Sequence, residues 1–245
     1  MKRAHRGSAL LALLLAGCLA HGGRAGRSGS AGPAAGAGET RTAVRYLALG
    51  DSYTIGEGVA EAERWPAQLV ARLREGGRAA GDPLIVARTG WTTDELMAEI
   101  DGAAPEGRFD LVSLLIGVND QYRGRDVEEF RAGFRALLRR AIGFAGGEAG
   151  RVIVLSIPDW GVTPFAGGRD RAAIAQAIDR FNAAGRDETR RAGARYVDVT
   201  AVSREAAGDA TLLAADGLHP SGAMYAAWAS LALPAARDAI GRPAP

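Results

Sequence analysis

The chain carries three histidines, His5, His21 and His219, and the first two fall in an N-terminal stretch that does not read as part of a folded domain. His219 is therefore the one imidazole that a folded domain has to work with. Asp216 stands three residues before it, in Asp-Gly-Leu-His-Pro. Ser52 stands far upstream, in Gly-Asp-Ser, where the apolar run RYLALG comes to an end. A serine hydroxyl is a poor nucleophile until a base removes its proton, and imidazole suits that task near neutral pH. In a tight turn the Asp216 carboxylate reaches back to His219 and fixes its tautomer, the third role in a Ser-His-Asp relay. Taken singly, the serine also reads as a helix N-cap and the histidine as a surface residue. The sole domain imidazole beside a carboxylate favours the relay.

Acyl transfer also needs donors where negative charge develops on oxygen. Three candidates follow apolar runs: the backbone N–H of Ser52, the backbone N–H of Gly90 in TGWTT, and the side-chain amide of Asn119 in GVND. Gly90 has no Cβ, so a substrate can approach its backbone closely. Asp51 and Asp120 read as braces for their loops, and Asn119-Asp120 alone is also compatible with a simple Asx turn. One domain histidine and no domain cysteine make a poor ligand set for a zinc site, and no metal or cofactor is expected. The Gly-Glu-Gly at 56–58 has neither the lysine of a P-loop nor the spacing of a dinucleotide fingerprint. The G-x-S-x-G elbow of other lipases is absent.

The elements that must hold these residues are legible as five apolar runs, 45–50, 83–88, 110–117, 151–157 and 194–199. They are near-continuously apolar, as strands covered on both faces should be. Helical patterns alternate with them. WPAQLVARLREGG has proline near its start and glycines at its end, and a later segment sets Val127, Phe130, Phe134, Leu137, Leu138 and Ile142 on one stripe. Ser221 is placed to cap the closing helix. Strand and helix in alternation predict an α/β fold, a parallel sheet with helices on both faces, whose chemistry gathers at the carboxyl ends of the strands. Trp65, Trp91, Trp160, Trp228 and Phe165 read mostly as core or helix-face residues, and Trp91 and Trp160, which follow strand ends, also fit an acyl pocket. The segment 156–170, SIPDWGVTPFAGGRD, is long enough for a pocket wall or lid.

At this point the chain resembles the SGNH, or GDSL-like, hydrolases over about residues 45–240. GDSYTIGEG is similar to the family's first block with Ser52 as nucleophile, Tyr53 standing where the name-giving motif has leucine. Gly90 is similar to the second block's glycine, GVND with Asn119 to the third, and DGLHP with Asp216 and His219 to the last. Four blocks in order form a specific signal. The resemblance implies a three-layer α/β/α sandwich, flavodoxin-like, with about five parallel strands, and ester hydrolysis through an acyl-enzyme.

The N-terminus reads differently. Residues 1–17 pair a basic start, MKRAHR, with a short apolar stretch, as an export signal does. Leu15-Ala16-Gly17-Cys18 resembles the lipobox of bacterial lipoproteins, which implies cleavage before Cys18, the chain's only cysteine, and a lipid anchor on its sulfur. The other reading is an ordinary signal peptide cut after Ala20. Residues 18–43 are rich in Gly, Ala and Ser and predict a flexible tether, with the hydrolase domain at 44–245. The formal net charge is +2, and without Lys2, Arg3 and Arg6 of the leader it is −1, so nothing favours nucleic-acid binding.

The expectation is therefore a serine esterase of the extracytoplasmic side, membrane-anchored through Cys18, acting on small-molecule, glycan or lipid esters. Narrower alternatives are a carbohydrate O-acetyl esterase and a lysophospholipase or thioesterase. An inactive acyl- or sugar-binding module on the same fold is the alternative from another class.

Overall fold

The computed structural model describes residues 43–103 and 105–241. The leader, Cys18 and nearly all of the expected tether lie outside the described residues. Five strands, β1 (Tyr46–Gly50), β2 (Leu84–Ala87), β3 (Leu111–Leu115), β4 (Val152–Leu155) and β5 (Arg195–Val197), form one sheet in the order β2-β1-β3-β4-β5. All pairings are parallel. β1, β3 and β4 are buried along their whole length, which is why their sequences run apolar rather than alternating. The edge strands β2 and β5 are partly exposed.

Helices connect the parallel strands, as parallel pairing requires. From β1 the chain moves one way, through α1 (Ser52–Ile55) and α2 (Trp65–Glu75), to β2. It then returns through α3 (Thr93–Ala103) to β3 and continues outward through α4 (Val118–Tyr122) and α5 (Val127–Phe144) to β4, then α6 (Arg171–Arg191) to β5. After α7 (Thr200–Ser203), α8 (Gly222–Ala239) packs against α2. The direction of travel reverses between β1 and β3, and a doubly wound sheet opens a crevice at the carboxyl ends of the two strands where that happens. Register sharpens the point. Gly50 is opposite both Ala87 and Leu115, so β1, β2 and β3 end at one level. The residues that follow, Ser52, Gly90 and Asn119, are thereby delivered to one edge.

The predicted runs are trimmed at their ends for identifiable reasons. β3 stops at Leu115 because the chain turns at Gly117, whose φ of 121° is foreign to a strand. A Cβ there would lie 2.5 Å from the Phe130 ring of α5, so the turn can close only over glycine. β4 stops at Leu155, after which the Ser156 hydroxyl accepts from Val199 N–H (2.8 Å), Thr200 N–H (3.0 Å) and Thr200 Oγ1–H (2.7 Å). Side-chain bonds replace the ladder at that strand end. In α5 the sequence stripe is realised, with Phe130, Phe134, Leu137 and Leu138 buried.

Candidate active site

The Asp-Gly-Leu-His-Pro segment folds into a closed turn. Leu213 bridges to Pro220, and Ala214 N–H donates to His219 C=O at 2.8 Å. Ser221 then caps α8, its hydroxyl accepting from Met224 N–H. Within the turn Asp216 uses both oxygens. Oδ1 accepts from Leu218 N–H and His219 N–H, each at 2.9 Å, and Oδ2 lies 2.6 Å from His219 Nδ1. Partial burial pushes the Asp216 carboxyl up, but the bonds from the His219 ring and the two backbone N–H groups outweigh it and hold the group below its usual range. An ionised acceptor on that side requires the proton on Nδ1, which leaves the Nε2 lone pair for a substrate-side proton. The ring of Tyr53 stands 5.5 Å from the imidazole, centroid to centroid, and 6.1 Å from Trp228 of α8, so the imidazole is backed by the core.

Ser52 opens α1, one residue past the Asp51 N-cap, whose carboxylate accepts from Tyr53 N–H at 3.0 Å. The cap is thus Asp51, which frees the Ser52 hydroxyl from the role a serine usually has at a helix start. Ser52 and His219 line the same cavity. Among the described residues no hydrogen bond joins the hydroxyl to the ring; such contacts commonly tighten in the substrate complex.

Asp51 is fully buried, and its Oδ2 has no partner among the described residues. Burial pushes its carboxyl up to about 8, against the Tyr53 N–H bond and with a further contribution from the charge on Asp120. An unfolded aspartate loses its proton near pH 4, the folded one near pH 8, so over that window the folded chain holds the extra proton. Stability contributed by this group is present below pH 4 and is lost as pH rises toward 8. Asp51→Asn should remove that slope: urea unfolding at pH 5 and pH 8 should show the wild type losing stability relative to the variant at the higher pH. Equal changes in both proteins would contradict the assignment.

The donors predicted to face a developing oxyanion line this cavity too: Ser52, Gly90 and Asn119. Neither the Ser52 nor the Gly90 N–H has an acceptor among the described residues. Gly90 has φ 86°, a conformation that L side chains rarely adopt, and its carbonyl is held by Arg123 Nη2 at 2.7 Å. Asn119 donates one amide hydrogen to Trp91 C=O at 2.9 Å, which leaves the second for a ligand. Asp120 is buried and accepts from Thr93 N–H (3.0 Å) and Thr93 Oγ1–H (2.8 Å), tying α4 to the start of α3, so it braces the loop as expected. Asn119→Ala should lower kcat on an ester by about a hundredfold with little change in KM, because an oxyanion donor acts mainly in the transition state. Steady-state kinetics check this, and a change confined to KM would contradict it.

Between these groups lies a cavity of about 160 Å³. Its far wall is aromatic: Tyr122 from the end of α4, then Trp160 and Phe165 from the long loop after β4. Trp160 is buried and donates its indole N–H to Gln121 Oε1 at 2.8 Å, whereas Tyr122 and Phe165 remain 43% and 44% exposed at the rim. Of the two tryptophans left open by the sequence, Trp160 lines the cavity and Trp91 serves through its backbone carbonyl. Phe165, expected in the core or on a helix face, stands at the cavity mouth instead, and the sequence gives no sign of Tyr122 as a pocket residue. Tyr122 ends a five-residue helix and Phe165 sits in a short 3-10 turn, and neither element is long enough to show periodicity. The one available signal was the length of segment 156–170.

Residues 48–227 match the model of the GDSL-like lipase/acylhydrolase family. Among solved structures, TesA superposes with a TM-score of 0.62 at 20% identity, covering 80% of this chain and 99% of that one. A putative GDSL-like lipase from Parabacteroides merdae has a TM-score of 0.62 at 19% identity, covering 80% and 97%. Axe2, an acetylxylan esterase from Geobacillus stearothermophilus, has 0.58 at 20%, covering 82% and 95%. At these identities the likeness establishes the fold. No curated protein matches the chain.

Proposed function

The chain belongs to the GDSL-like lipase/acylhydrolase family and is an ester hydrolase, and from that premise we propose that it works through an acyl-enzyme on Ser52. Ser52 Oγ attacks the ester carbonyl while His219 Nε2 accepts its proton. The oxyanion is met by Ser52 N–H, Gly90 N–H and the free amide hydrogen of Asn119. Asp216 stabilises the imidazolium, which then protonates the departing alcohol. A water, deprotonated by the same ring, releases the acid. The observation that carries this reading is the 2.6 Å contact between Asp216 Oδ2 and His219 Nδ1, at the rim of a cavity that Ser52, Gly90 and Asn119 also line.

A short acyl group fits the cavity of about 160 Å³, and short chains are the reading this proposal takes. A carbohydrate O-acetyl ester is the narrower reading, favoured by the partly exposed Tyr122 and Phe165 at the mouth of the cavity, where a sugar can meet aromatic edges. A series of p-nitrophenyl esters from acetate to decanoate, followed in the stopped-flow, tests both mechanism and size. The expected result is a burst of nitrophenol equal to the enzyme concentration, with rates falling beyond short chains. Linear release without a burst, and a preference for long chains, would contradict this account.

The same proposal includes export and lipid attachment at Cys18, supported by the basic start, the apolar stretch and the Leu-Ala-Gly-Cys sequence. Attached acyl chains would anchor the domain beside envelope or extracellular substrates. Metabolic labelling with a fatty acid should mark the wild type and not Cys18→Ala; equal labelling of both would remove the anchor.

A further inference from the structure

We propose that Arg169 makes this pocket selective for esters that carry a carboxylate or similar anionic group, an inference that rests on the ester-hydrolase reading above and adds the substrate class. The guanidinium carbon of Arg169 stands 5.1 Å from the ring centroid of Tyr122, 5.4 Å from Trp160 and 5.8 Å from Phe165. Those three rings form the aromatic wall of the catalytic cavity. Arg169 Nη2 also donates to Tyr122 Oη at 3.1 Å. A cation is thus held against the aromatic wall of the site, next to the lining rather than part of it, by three ring contacts and one N–H. Its other side-chain N–H groups have no acceptor among the described residues and are free for an anion.

Arg169 has no ion pair among the described residues, nor has Arg171 close by, whose Nη2 donates to Thr163 C=O, whereas other arginines of the fold are paired. Arg123 pairs with Glu95 at 2.9 Å, Arg125 with Asp94 at 2.6 Å, and Arg204 with Asp159 at 2.9 Å and Asp179 at 2.7 Å. Among the described residues no carboxylate lies within ion-pair distance of Arg169, which is exposed. The adjacent Asp170 caps α6, accepting from Ala173 N–H at 3.0 Å. Elsewhere on the cavity wall, Thr89 donates its hydroxyl to the Glu57 carboxylate. The mouth therefore carries an unpaired positive charge at the aromatic wall and a negative charge behind Thr89. An anionic substrate would be oriented by attraction to the first and repulsion from the second.

The anion can belong to the acyl or to the alcohol part, and paired substrates separate the two. One pair is p-nitrophenyl hemisuccinate with p-nitrophenyl butyrate, and the other is 4-acetoxybenzoate with phenyl acetate. For each pair the ratio of kcat/KM, anionic over neutral, is compared between wild type and Arg169→Gln, so that intrinsic reactivities cancel. We expect one of the ratios to fall about fivefold to tenfold in the variant, as loss of a charge-assisted contact near the surface implies. Arg169→Lys, which keeps the charge and loses the fork, should fall between the two. In the wild type, raising ionic strength from 20 mM to 500 mM should erode the same ratio, which checks the charge without any substitution. If neutral esters are hydrolysed but both ratios stay within twofold across variants and salt, the anion selectivity is wrong and the ester hydrolase stands. If the wild type hydrolyses neither member of either pair, the ester-hydrolase reading falls and this inference with it.

Discussion

Ser52→Ala is expected to lower kcat/KM on a short-chain ester by about a thousandfold or more while leaving the melting temperature unchanged. The two halves of that expectation rest on different observations. The loss follows because the hydroxyl is the only atom removed, and no acyl-enzyme can form without it. The unchanged stability follows because the cap of α1 is Asp51, not Ser52, and the Ser52 hydroxyl makes no hydrogen bond among the described residues. The residual activity would come from binding and from the oxyanion donors, which the substitution leaves in place. Kinetics and a thermal melt on the same preparation check both halves. A variant with more than a tenth of wild-type activity would remove Ser52 from the chemistry.

His219→Gln is expected to cost as much as Ser52→Ala, and the double variant no more than either single one. Groups that act as a unit lose their function together, so their free-energy effects do not add. Among the described residues His219 is the only imidazole, so no second one stands ready to replace it. Glutamine fills much of the imidazole volume against Tyr53 and can still donate a hydrogen bond to Asp216, but it cannot accept a proton near neutral pH. Kinetics on the three variants test this. Multiplicative losses in the double variant would mean that serine and histidine act in separate steps.

Much of this arrangement is legible in the sequence, and the reason is physical. Parallel strands buried on both faces must be apolar throughout, so β1, β3 and β4 announce themselves as runs, and the loops after them hold the chemistry by the topology of a doubly wound sheet. What escaped the sequence depends on contacts with no local pattern. The aromatic wall draws Tyr122 from a one-turn helix and Phe165 from a 3-10 turn, and their meeting is decided by tertiary packing. The backing of His219 by Tyr53 joins residues more than 160 positions apart, and nothing in the Gly-Asp-Ser-Tyr stretch marks that tyrosine as a partner of the imidazole. The strands are shorter than their apolar runs for a related reason. Ser156 belongs to an apolar run, yet its hydroxyl is spent on the backbone after β5.

The most direct test of the central claim is covalent capture. A fluorophosphonate added to the folded protein, followed by intact mass and peptide mapping, should give one adduct per chain, on Ser52. The adduct should form far more slowly in His219→Gln, because the hydroxyl attacks phosphorus only when its proton is removed. Protein that hydrolyses esters while the adduct appears on another residue, or not at all, would contradict the account.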